Sequence, residues 1–335
     1  MIYCGRNANL EATMRVTRLT IVALLASVVV FPAAAQGYPS GPIRLIAPGP
    51  PGSPRDLRAR WVAEKLAPSL GQPVVVDNRA GAGGNIGMEA AAKSLADGHT
   101  LVIVDLGTLA QNPHLYARTG YDPIVDFTPI TRLVDSPLML AVHAELPAKS
   151  VAELIRLAKE KPGQLAFGSS GVGTPPHMAA ELFRRMAGID VVHVPYKGAS
   201  PALMDLVGGR IAYTIDSIAM QWPQAKAGKI RALAITGRQR VAVAPDVPTL
   251  VEAGLAGYEY SAWMGVAAPA ATQKEIVSRL NADLVRALRS REARDWFAAQ
   301  GGAVIGDTVE EFTEVVRADH ARWGRIIREA GIRAE

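Results

Sequence analysis

Cysteine is almost missing from this 335-residue chain: the single one, Cys4, lies close to the N-terminus. From residue 36 onward disulfides, thiolate metal sites and a cysteine nucleophile are therefore excluded. Long apolar runs are scarce as well. The run Leu19–Phe31 covers 13 residues, short of the roughly 20 that a membrane-spanning helix requires. It follows Arg15 and Arg18 and precedes Ala33-Ala34-Ala35, the order of basic segment, apolar segment and small-residue cleavage site in a secretory signal. Residues 1–35 are read as that signal, with Met14 as an alternative start. No cysteine stands at the cut to carry a lipid, so a free, soluble, periplasmic product is expected.

Neither sign of charge dominates. Lysine and arginine number 36 against 31 acidic residues, a net +5, and removing the three arginines and one glutamate of the signal leaves +3. Basic residues are dispersed and not interleaved with aromatics, which argues against nucleic acid. A mild positive excess helps to gather small anions. The six histidines (His99, His114, His143, His177, His193 and His320) form no H-x-x-x-H pair, so no metal site is expected. Three further signatures are not met. Gly81-Ala82-Gly83-Gly84-Asn85-Ile86 has Ile where a dinucleotide fingerprint needs Gly, and Gly228-Lys229 runs into Ile230 where a phosphate loop needs Ser or Thr. Gly168-Ser169-Ser170-Gly171-Val172 ends on Val where a hydrolase elbow needs Gly. No cofactor is expected.

What the chain does have is alternation. Apolar runs of strand length occur at Ile43–Ala47, Val74–Asp77, Leu101–Val104, Leu138–Val142, Val191–His193, Ile211–Ile215, Ile230–Ile235 and Trp263–Ala267. Helical patterns stand between them, the mark of an α/β chain. Four capping boxes are predicted, at Ser53, Ser150, Thr272 and Thr308, each with an acidic residue three positions on. Leu138–Val142 and the segment near Trp263 are the expected crossings between two lobes.

Two segments share one device. Pro48-Gly49-Pro50-Pro51-Gly52-Ser53-Pro54 follows a strand and opens a helix, and so does Gly168-Ser169-Ser170-Gly171-Val172-Gly173-Thr174. Glycine permits φ > 0 and leaves N–H groups uncovered, and a helix start adds unpaired donors. Two such loops predict capture of a small anion. His177, in the first turn after the second loop, could donate to a ligand.

These loops, with other ordered runs, resemble the tripartite tricarboxylate transporter substrate-binding proteins, the TctC or Bug family. Matching runs include Gly71-Gln72-Pro73-Val74-Val75-Val76-Asp77-Asn78-Arg79, Gly81–Gly87, Ala96-Asp97-Gly98-His99-Thr100-Leu101 and Val192–Gly198. The resemblance implies a two-lobed, type II-like periplasmic-binding fold, two α/β domains joined by crossing strands with a ligand cleft between them. The lobes are expected at 36–138 plus 264–335 and at 139–263. It further implies a carboxylate ligand, the permease subunits of a tripartite transporter as partners, and a monomer. The family's ligand positions fall here on Pro51, Gly52, Ser53, Arg55 and Asp56 in the first loop, on Gly107 and Thr108 in a third segment, and on Ser169, Ser170, Gly173 and Thr174 in the second loop. Asp216 matches an acidic position facing the cleft. Ser53 and Arg55 depart from the family pattern, and the Arg55 guanidinium is expected either to pair a ligand carboxylate or to turn out into solvent. Two other readings compete with carboxylate uptake: a carboxylate sensor handing its bound state to a receptor kinase, and an exported serine hydrolase using Ser169 or Ser170 with His177, His193 and Asp216.

Overall fold

The computed structural model describes residues 37–334, so the predicted export signal lies outside the described residues. Gly37–Ser40 belong to a separate N-terminal unit, and Gly41 to the C-terminus forms one compact unit. That unit contains two mixed sheets. The first comprises β1 (Ile43–Ala47), β2 (Val74–Asn78), β3 (Thr100–Asp105), β4 (Phe127–Asp135), β10 (Met264–Pro269) and β11 (Ala303–Val304), in the order β11-β4-β10-β3-β1-β2. The second comprises β5 (Leu138–His143), β6 (Ala166–Ser169), β7 (Val192–Pro195), β8 (Tyr213–Ser217) and β9 (Ile230–Ile235), in the order β7-β6-β8-β5-β9.

The helices are α1 (Pro54–Leu70), α2 (Asn85–Ala92), α3 (Asn112–Leu115), α4 (Val151–Glu160), α5 (Pro175–Ala187), α6 (Ala199–Val207), α7 (Ile218–Lys226), α8 (Lys274–Leu288), α9 (Arg291–Ala298) and α10 (Val309–Ala330). Among the described residues no helix is long and apolar enough to cross a membrane.

Within each sheet the strands joined through helices run parallel, β2-β1-β3 in the first and β7-β6-β8 in the second. The central strand β3 is covered on both faces and reads as an unbroken apolar run, whereas the edge strands β2 and β7 stay partly exposed. Ile43, Leu45 and Ile46 of β1 are fully buried, as are Leu101–Val104 of β3, each large side chain contributing about 1.5–3 kcal/mol. In each sheet an antiparallel strand marks a crossing. β5 arrives from the first sheet through Ser136–Pro137 and pairs antiparallel with β8 and β9. β10 arrives from the second sheet and pairs antiparallel with β3 and β4. The two crossings run side by side, joined by a Pro137–Ser261 bridge and by Ala262 N–H donating to the Ser136 carbonyl at 3.0 Å. This is a two-lobed α/β fold.

Several predicted elements shift. The strand expected at Ile211–Ile215 begins at Tyr213, and the one expected from Trp263 begins at Met264. β4 has no counterpart in the sequence reading, because Pro129 interrupts its pattern. A proline is tolerated there since β11 pairs only with Val134 and Asp135 and leaves that stretch an open edge. Of the four capping boxes only Thr308 closes in both directions. The Ser53 and Ser150 hydroxyls do accept from N3, but the Asp56 and Glu153 carboxylates take the N–H of Gly52 and Lys149 instead. The box at Thr272 is absent: α8 is capped at Gln273, and the Thr272 hydroxyl donates to the Pro269 carbonyl at 2.7 Å.

Candidate functional site

The first loop leaves β1 at its carboxyl end, where ligands bind in open α/β sheets. It is held from beneath by Asp56, which is buried and accepts hydrogen bonds from Gly52 N–H (2.8 Å), Asn78 Nδ2 (3.0 Å) and Arg60 Nε (3.0 Å). Burial works against this carboxylate, but the three bonds outweigh it and hold its pKa below the ordinary value.

Arg55 does not turn out into solvent. It turns inward, and its Nε donates to Asp105 Oδ2 at 2.5 Å while Nη1 donates to the carbonyls of Pro48 (2.8 Å) and Gly83 (3.0 Å). Burial lowers the guanidinium's pKa and the Asp105 charge raises it; the second effect wins. Among the described residues Nη2 makes no hydrogen bond. Asp105 is itself held in place, its Oδ1 accepting the Thr108 N–H at 2.8 Å. Thr108 is fully buried behind it, at the head of a π-type turn over Gly107–Gln111.

The second loop rises from β6 and opens α5. Gly171 and Gly173 take φ of +131° and +74°, conformations that side chains rarely tolerate. Ser169 is fully buried. Its hydroxyl lies 2.7 Å from His193 Nε2 and 3.1 Å from the Gly171 carbonyl. The hydroxyl has one proton for two possible acceptors, and the His193 tautomer decides whether the imidazole donates to Ser169 or accepts from it. What counts against the serine-hydrolase reading is placement: Ser169 is fully buried and does not line the cavity between the loops, and Asp216 lies in a separate hollow. His177 stacks on His193 with ring centroids 4.0 Å apart, and its Nδ1 accepts the Gly173 N–H at 3.0 Å. It supports the loop and does not present a donor to the cleft. Burial, reinforced by the Arg184 charge, pushes its pKa down to about 4.

The two loops face one cavity of about 300 Å³. Its walls are Gly49, Pro50 and Ser53–Arg55 of the first loop, Gly83, the stretch Asp105–Gly107, Asn112 and Tyr116, Val172–Pro175 of the second loop, and Ala262–Met264 of the return crossing. Of the thirteen residues expected at the site, Ser53, Arg55, Gly107, Gly173 and Thr174 line it. Pro51 and Gly52 lie exposed on the outer part of the first loop, Asp56 and Thr108 sit beneath the wall, Ser169 and His177 sit behind the second loop, and Ser170 is half-buried on that loop. Asp216 lies elsewhere, in a small hollow with Thr214 and Gln221. There burial pushes its pKa up to about 6 against the opposing bond from Ser217 N–H.

The sequence reading did not single out Asp105, Tyr116, Val172 or Trp263. Asp105 had a signal: it is a charged residue ending the fully buried apolar strand β3, at the strand's carboxyl end. The loops also differ from simple helix-terminus cradles. Pro54 opens α1, and Pro175 and Pro176 open α5, so the first N–H of one helix and the first two of the other do not exist. Donors must come from loop amides and side chains.

A second cavity, of about 400 Å³, lies behind Leu106 and Trp263, which line both. Its charges largely answer one another: Arg238 pairs with Glu259 at 2.7 Å, and the Trp263 indole N–H donates to Asp319 at 2.7 Å.

A profile described as the tripartite tricarboxylate transporter family receptor matches residues 58–332. Protein BugT of Bordetella pertussis is 37% identical over 322 residues, covering 95% of this chain and 99% of that protein. Among solved structures, an R. palustris protein with adipate superposes with a TM-score of 0.76 at 38% identity, over 88% of this chain and 99% of the other. MatC from Rhodopseudomonas palustris with bound malate gives 0.73 at 32%, over 87% and 100%.

Proposed function

Because the chain belongs to the tripartite tricarboxylate transporter receptor family, we propose that it is a periplasmic solute-binding protein that captures a small carboxylate for a tripartite permease. The observation that carries this reading is the Arg55 guanidinium. It is fixed on three sides by Asp105, Pro48 and Gly83, and Arg55 lines a cavity that two loops from different sheets enclose. A charge held rigid in this way has already lost its rotamer freedom, so less is given up on binding. Charge-assisted hydrogen bonds contribute about 1.5–3 kcal/mol each, and three or four of them support micromolar capture after ordering costs. The adipate and malate bound by the two Rhodopseudomonas relatives are carboxylates of matching size class.

We assign residues 36–138 with 264–335 to one lobe and 139–263 to the other. The support for this is that β1–β4, β10 and β11 share one sheet and β5–β9 the other. Closing the second loop onto the first would bury the ligand and create the surface that a permease reads. Residues 1–35 would serve as the export signal, and no covalent step is involved.

The purified protein should gain thermal stability from one or a few members of a panel of mono-, di- and tricarboxylates and from none of the corresponding amides. Unchanged melting across the whole panel would sink the reading.

A further inference from the structure

We infer that this cavity selects a ligand with a single carboxylate and an apolar body, and that it discriminates against a second negative charge. The inference rests on the carboxylate-capture reading and deepens it. Two charged residues line the cavity, Arg55 and Asp105, and they are paired with each other. Before any ligand enters, the formal charge of the lining is zero. One carboxylate takes it to −1, and a dicarboxylate takes it to −2 with no further cation among the lining residues to answer the second charge. An unanswered charge taken out of water is costly.

The distribution of donors agrees. The free guanidinium edge, Arg55 Nη2, lies close to Gly107, where an added Cβ would stand 3.6 Å from it. The Tyr116 hydroxyl is on the same side, since a Cβ on Gly83 would stand 2.8 Å from that oxygen. On the opposite wall several donors are already engaged or missing. The Thr174 hydroxyl donates to the Gly171 carbonyl at 2.7 Å and the Gly173 N–H to His177, while Pro175 and Pro176 carry no N–H. That wall and the floor present mainly carbon, from Val172, Pro175, Ala262, Trp263 and Leu106. A ligand anchored by its carboxylate at Arg55 therefore extends its other end over apolar surface, where a methyl group or aromatic ring is accommodated and a second carboxylate is not.

Hexanoate and adipate make the direct test, because they share a six-carbon chain and differ only in whether the far end is methyl or carboxylate. Titration calorimetry on the purified protein should show hexanoate binding more tightly by about tenfold or more, with benzoate behaving as a second, rigid monoanion. Adipate binding equally or more tightly would overturn the inference and leave carboxylate capture intact. Silence from hexanoate, adipate, benzoate, malate and citrate alike would instead remove the capture reading itself. The Asp105→Asn variant removes the internal negative charge while keeping an oxygen for Arg55 to donate to. In it the hexanoate-to-adipate preference should shrink several-fold, and an unchanged preference would refute the charge argument.

Discussion

His177 shows how a residue can be conspicuous in sequence and act behind the site. Its Nδ1 accepts the Gly173 N–H only when unprotonated, and its ring stacks on His193, whose pKa burial also pushes down to about 4. A free imidazole titrates near pH 6.5, so the fold favours the neutral form. The His177 contribution is complete above about pH 6.5 and is lost as pH falls through about 4, amounting to about 3 kcal/mol for a shift of this size. The groups around it are Arg184, which disfavours protonation, and Glu181, which favours protonation of the adjacent His193. Urea melts at pH 7 and pH 4.5 test this: wild type should lose more stability between them than His177→Phe, which keeps the stack and cannot titrate. Equal losses would refute the assignment. Arg55 was legible as a departure from the family's loop, yet its direction was not, because its partners Asp105 and Gly83 are 50 and 28 positions away.

At the scale of elements, the second loop is the part whose geometry is most demanding. Gly173 has φ +74°, and a Cβ there would stand 3.2 Å from Leu115 Cδ1 of α3. The Gly173→Ala variant therefore meets two costs. The left-handed conformation costs about 1 kcal/mol in any state, and the contact with Leu115 resists approach of the loops. Stability of the ligand-free protein should fall by about 1 kcal/mol, and carboxylate affinity should fall by roughly fivefold beyond that. Calorimetry on the variant checks both, and unchanged affinity would mean the loops do not close on this contact. Elements of this kind were readable from the sequence when local rules governed them. The parallel strand β3 announces itself by an unbroken apolar run, β1 by one interrupted only at Arg44, and Thr308 by its capping box. β4 was hidden because Pro129 reads as a strand breaker until the open edge beside it is known.

Across the whole molecule, the lobes are tied together away from the crossings. Arg185 of α5, which packs on the second sheet, pairs at 2.5 Å with Glu329 of α10, which packs on the first. Both side chains are partly exposed, so the pair contributes about 0.2–1 kcal/mol and is weakened by salt. If closure retains the ligand, Glu329→Gln should speed ligand release by up to about fivefold while leaving the urea midpoint nearly unchanged. Stopped-flow displacement at low and high ionic strength would measure this, and a release rate insensitive to both the variant and salt would show that the pair does not hold the closed form.

By itself the sequence determined the alternating α/β order, the two Gly-Pro-Ser loops, the family and the absence of cysteine chemistry after residue 35. These depend on composition and on contacts between near neighbours in the chain. Tertiary structure alone decided that Arg55 points inward onto Asp105, that Ser169 and His177 brace the second loop from behind, that Asp216 lies outside the cavity, and that Trp263 floors it. Each of those outcomes depends on a partner brought near by the pairing of strands far apart in sequence, and a side chain's direction is set by whichever partner the fold delivers.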